Sequence, residues 1–68
     1  MTKKEALTMI KKELNERPRF HMYENNFNFD KKWITVAGYV ERKNENCEAD
    51  LIIEHNGHKI ISSFIEYL

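Results

Sequence analysis

Asn56-Gly57, set between Leu51-Ile52-Ile53-Glu54-His55 and His58-Lys59-Ile60-Ile61, is the stretch that most limits how this chain can fold. Asn-Gly between alternating apolar residues is a strong hairpin signal, because a tight type I′ turn needs positive φ at both central residues. A two-residue loop would place His55 opposite His58, Glu54 opposite Lys59, Ile53 opposite Ile60 and Ile52 opposite Ile61. The Glu54–Lys59 pair would then contribute roughly 0.2–1 kcal/mol. In that register Ala49, Leu51, Ile53, Ile60 and Phe64 share the core face. Asp50, Glu54, Lys59 and Ser63 share the other, with Ile52 and Ile61 as an apolar island. A slip of one residue would turn every side chain over.

A chain of 68 residues has room for one domain and one small core, for which oligomerisation is a common remedy. Its hydrophobic fraction of 41% and charged fraction of 32% are those of an ordinary globular protein. Eleven basic and eleven acidic residues cancel, which argues against a general polyanion binder. A local basic strip stays open. Cys47 is the only cysteine and has no internal partner, which suits a reducing, cytoplasmic setting. The polar N-terminus lacks the apolar core of a signal peptide, and no apolar run approaches the ~18 residues of a membrane span.

Thr2 to Arg17 reads as an amphipathic helix. Thr2 and Glu5 have capping-box spacing. Leu7, Ile10 and Leu14 form the apolar face with Ala6 at its edge. Met9 falls on the opposite, wet side, and Glu5, Glu13 and Glu16 on the back. Glu13 and Arg17 make an i,i+4 pair, and Pro18 ends the helix. The helix lysines Lys4, Lys11 and Lys12 read as part of a solvated face.

Phe20 to Asp30 is extended but breaks its own alternation. Phe20 and Met22 share one parity, Phe27 and Phe29 the other, with Glu24-Asn25-Asn26 between. It is one bulged strand or two short pieces joined by a turn. Asp30-Lys31-Lys32 turns the chain into Trp33–Arg42, the clearest strand. There Ile34, Val36 and Val40 share one face and Trp33, Thr35, Ala37 and Tyr39 the other. Gly38 marks a bend, a bulge or a ring packed on backbone. Lys43 to Glu48 reads as a polar loop. Ser63 and Glu66 repeat the capping spacing and make Phe64 to Leu68 a candidate helical turn.

The architecture that follows is α+β: an N-terminal helix on one face of a three- or four-stranded antiparallel meander, in the order α-β-β-β-β. The helix would pack on Ile34, Val36, Val40, Leu51, Ile53 and Ile60. A bent meander with a glycine in its second long strand is also loosely similar to the small Sm-like and SH3-like barrels, which stand as the alternative topology.

Sharp chemistry finds little footing. His55 and His58 facing across the turn could share a metal, yet no zinc-type Cys/His spacing completes the site. Facing imidazoles would also repel on protonation, loosening the hairpin tip in acid. Cys47 lies among Glu45 and Glu48, which disfavour the thiolate a nucleophile needs. Only two glycines exist, too few for a phosphate loop. No catalytic residue, cofactor, metal or small-molecule substrate is expected.

The aromatic residues are more informative. Trp33, Tyr39, Phe27 and Phe29, with Tyr23 nearby and Ile52 and Ile61 from the hairpin, make an apolar surface. Such surfaces anchor protein partners. The expected function is a small non-catalytic protein-binding module. It is of the stand-alone regulator or inhibitor kind that includes phage and mobile-element accessory proteins. It acts through a sheet face or edge, as a homodimer or on another protein. The alternative is single-stranded nucleic-acid binding, with bases stacked on the rings and Lys31, Lys32, Arg42 and Lys43 meeting phosphates.

Overall fold

The computed structural model describes residues 1–68. Helix α1 (Lys3–Glu16) is followed by β1 (Phe20–Phe29), β2 (Trp33–Arg42), β3 (Glu45–His55) and β4 (Ile60–Tyr67). The strands form one antiparallel sheet in the order β1-β2-β3-β4, so β1 and β4 are free edges and the sheet does not close into a barrel. The α-β-β-β-β reading stands, with four strands. No helix is long and apolar enough to cross a membrane.

α1 begins where its sequence dictates. Thr2 Oγ1 accepts from the Glu5 amide and Glu5 Oε1 accepts from the Thr2 amide, completing the capping box. At the other end the Arg17 amide donates to the Leu14 carbonyl and Pro18 follows. The buried stripe is rotated from the expected one. Ala6, Met9, Ile10 and Glu13 are buried, whereas Leu7 and Leu14 are half-buried at its flank. The two edges of the sheet set this rotation: on the β4 side Met9 adjoins Ile60 and Glu13 reaches Ser63, and on the β1 side Leu7 and Leu14 flank a groove with Phe20 and Met22.

The core joins that stripe to Phe20, Ile34, Val36, Val40, Ala49, Leu51 and Ile53, with Leu7, Leu14, Met22, Phe27, Ile60 and Ile65 packed around it. Each fully buried Ile or Leu contributes about 1.5–3 kcal/mol, so this side organises the fold. Gly38 makes room for it. A Cβ there would lie 2.2 Å from the His21 carbonyl oxygen and 2.7 Å from the Phe20 ring. Of the three uses a strand glycine suggested, backbone approach under a packed ring is the one found.

Two irregularities decide which side chains face the helix. In β1, four residues (Tyr23 to Asn26) stand against the single Ala37 between the Met22–Gly38 and Phe27–Val36 pairs. Asn25 takes φ +56° within this bulge. The surplus is odd, so parity switches, and Phe20, Met22, Phe27 and Phe29 all come to the helix side. The single bulged strand is therefore the correct one of the two readings, but Phe27 and Phe29 do not lie on the open face.

The second irregularity corrects the hairpin. Asn56 does not take positive φ. Its Oδ1 instead accepts from the amides of His58 and Lys59, and the bend moves on to Gly57, at φ +93°. His55 pairs with Ile60, not His58. Ile61 is then an extra residue before Glu54–Ser62, Ile53–Ser63, Ile52–Phe64 and Leu51–Ile65. A register shift of two would have preserved the faces, but the added Ile61 inverts them. Ser63 and Ile65 point to the helix, and Phe64 leaves the core face for the open one. β4 runs straight through Phe64 to Tyr67, so the C-terminal helical turn is absent. The Lys43–Glu48 loop is also absent. Arg42 pairs with Glu45 across Lys43-Asn44, and that is where the tight two-residue turn lies.

The turns at one end of the sheet are tied together by His55, which is 2% exposed. The Gly57 amide donates to Nδ1 at 2.9 Å, so the ring carries its proton on Nε2, which donates to the Asp30 carbonyl at 2.8 Å. The His55 amide also donates to the Lys32 carbonyl. The two histidines do not face each other, so neither a shared metal nor mutual repulsion can arise from that pairing.

Candidate functional site: the open sheet face

The face away from α1 is built by the alternate residues of all four strands. Across the strands they fall into rows: His21, Tyr39 and Glu48; then Ala37, Asp50 and Glu66; then Asn28, Thr35, Ile52 and Phe64; then Trp33, Glu54 and Ser62. Trp33, Tyr39 and Ile52 therefore share this face, with Trp33 and Tyr39 towards its opposite ends. Ile61 is not on this ladder. It is the bulge residue and is 58% exposed, and Phe64, 46% exposed, takes the place opposite Ile52. Phe27 and Phe29 stack on one another on the other side of the sheet, with centroids 6.3 Å apart.

At one end of the face three rings pack together. His21 stacks on Tyr39 with centroids 5.1 Å apart, and Tyr23 tilts against Tyr39 at 5.8 Å. Carboxylates hold the outer rings. His21 Nε2 lies 3.0 Å from Glu41 Oε1, and the Tyr23 hydroxyl donates to Glu48. That hydrogen bond raises the Tyr23 pKa, since the neighbouring carboxylate resists loss of the phenolic proton. At the other end Lys32 reaches over the Trp33 ring, its Nζ 5.4 Å from the centroid.

The charge at the strand positions of this face is one-sided. Glu41, Glu48, Asp50, Glu54 and Glu66 occupy it, five of the eleven acidic residues. No lysine or arginine occupies a strand position there. The only basic strand residue, Arg42, lies on the helix side, 4.7 Å from the Tyr67 ring centroid. A neutral chain thus folds into an acidic, aromatic sheet face and a basic remainder. The expected ends of this patch, Lys31, Lys32 and Lys43, are all in turns.

No cavity or reactive side chain competes as a site. The largest groove, about 620 Å³, runs between α1 and the bulged half of β1. It is lined by Leu7, Ile10, Leu14 and Met22 with scattered polar residues, and lacks convergent polar groups of the kind that orient a small ligand. Cys47 is half-buried on the helix side of β3, paired with Val40. Glu13, which the helix pattern placed on the back, is buried against β4 and serves packing. Comparison with family models, with characterised proteins and with solved structures finds no match for this chain.

Proposed function

We propose that this protein is a small, non-catalytic protein-binding module whose docking surface is the open sheet face. The observation that carries this reading is that Trp33, Tyr39, Ile52 and Phe64 all lie on a sheet face that no element of the chain covers. Aromatic anchors within a polar rim are the usual anatomy of a protein interface. Regulation or inhibition of a partner is a role that such a module fills. The test is retention of a partner from host extract on immobilised protein. Wild type should retain it, and Tyr39→Ser with Ile52→Ser should lose it while melting cooperatively. Retention that survives both substitutions would overturn the reading.

The β4 edge favours a second reading, self-association. Ile61, Phe64, Tyr67 and Leu68 are all exposed along a strand with one unpaired side, a template for pairing with another chain. A sizing column that shows a monomer at high concentration would remove it. Single-stranded nucleic-acid binding is the less favoured alternative. Its stacking set is without Phe27 and Phe29, and phosphates would meet five carboxylates.

A further inference from the structure

We infer that the partner of this face is cationic: a protein surface or segment that sets an arginine or lysine side chain over Ala37, between Asp50 and Glu66. The inference rests on the docking reading above and supplies the chemistry of the partner.

Asp50 and Glu66 are direct cross-strand neighbours. Like charges in that position oppose sheet pairing. The other carboxylates of the face each have a neighbour: Glu41 has His21, Glu48 has Tyr23 and Glu54 accepts from the Ser62 hydroxyl. Asp50 and Glu66 have neither a hydrogen bond nor an ion pair with any side chain. The third member of their row is Ala37, which offers only a methyl group and, because of the β1 bulge, has no β1 partner. Tyr39 and Glu48 border this row on one side, Ile52 and Phe64 on the other.

An incoming basic side chain would satisfy each part of this arrangement. Its charge would relieve the repulsion between two unpartnered carboxylates. Its aliphatic stem or guanidinium plane would lie along Tyr39, Ile52 and Phe64. A planar guanidinium fork bridges two carboxylates better than an ammonium does, so arginine is the better fit. The two carboxylates belong to no cluster of three or more ligating side chains, so they suit an organic cation more than a metal ion.

The test is an amide chemical-shift titration of the isotopically labelled chain. The probe is a short peptide alternating arginine and leucine, with serine replacing arginine in one comparator and oligothymidylate as another. The arginine peptide should shift the amides of Ala37, Asp50 and Glu66. Its affinity should fall by about threefold or more in Asp50→Asn/Glu66→Gln. Glu24→Gln/Glu45→Gln removes equal charge elsewhere and should cost less. Equal losses in both double variants would overturn the inference, since the attraction would then be diffuse. Equal affinity for the serine peptide at the same amides would overturn it too but leave the docking reading standing. If neither peptide shifts the face, or only oligothymidylate does, both fall.

Discussion

Gly38 pairs with Met22 of β1, beneath the Phe20 ring and beside the His21 carbonyl. Its φ is not positive, so an alanine meets no backbone strain there. The obstacle is contact: the His21 carbonyl at 2.2 Å belongs to the main chain and cannot swing aside. Gly38→Ala should therefore destabilise by about 1–3 kcal/mol, read from a chemical denaturation midpoint. A neutral result would mean that β1 slides freely on β2. Asp30 carries a different kind of prediction. The Lys32 and Trp33 amides donate to its carboxylate at 2.9 and 2.7 Å and hold its pKa below the usual carboxylate value. A depressed native pKa stabilises the fold above the unfolded pKa of about 4, and that contribution fades as pH falls through the native value. Glu5, depressed by the Thr2 amide, acts in the same direction. Thermal melts from pH 6 to 2 should show falling stability, with a shallower acid limb in Asp30→Asn. An unchanged limb would show that Asp30 does not hold the turn.

At the scale of elements, one polar clamp ties α1 to β4. Glu13 is 5% exposed, and its Oε1 accepts from the Ser63 hydroxyl. Arg17 donates from Nη2 to the Ser63 carbonyl and hydroxyl oxygens, both at 3.1 Å, while its Nε lies 3.8 Å from Glu13. The helix is thereby fastened to an edge strand that offers it little apolar surface, mainly Ile60 and Ile65. Ser63→Ala leaves a buried carboxylate short of a partner and should cost about 1–3 kcal/mol. Glu13→Met added to it should recover most of that loss, since replacing both partners removes the unpaired group. Additive losses in the double variant would show that the three side chains do not act as a unit.

For the whole molecule, the balance of charge is a statement about distribution. Net charge is zero, yet five acidic residues share one face and the basic residues lie on the helix and in the turns, Arg42 excepted. That asymmetry would speed encounter with the proposed partner of opposite sign. It also costs the free protein something. Glu66→Lys would set an attractive pair opposite Asp50 and should stabilise the chain by about 0.2–1 kcal/mol, while weakening the proposed docking. Stability rising as binding falls is the mark of a surface kept for function. A destabilised Glu66→Lys would mean that the two carboxylates do not oppose each other.

What the residues alone made legible is what depends on neighbours along the chain. Thr2, Glu5 and Pro18 bound the helix because capping and proline sterics reach only a few residues. The alternation of Trp33 to Val40 assigns both faces of β2 for the same reason, and with them Trp33 and Tyr39 as members of one surface. The rest was settled by packing between the elements. An odd surplus at Tyr23–Asn26 and a single extra residue at Ile61 each reverse a strand's faces, and whether a bulge forms depends on which side chains find room across the sheet. Phe27, Phe29 and Phe64 changed sides on that account. Met9 and Glu13 turned inward because Ile60 and Ser63 of β4 meet that flank of the helix. Asp50 and Glu66 became neighbours only once the β3–β4 register was set, which no local pattern in either strand specifies.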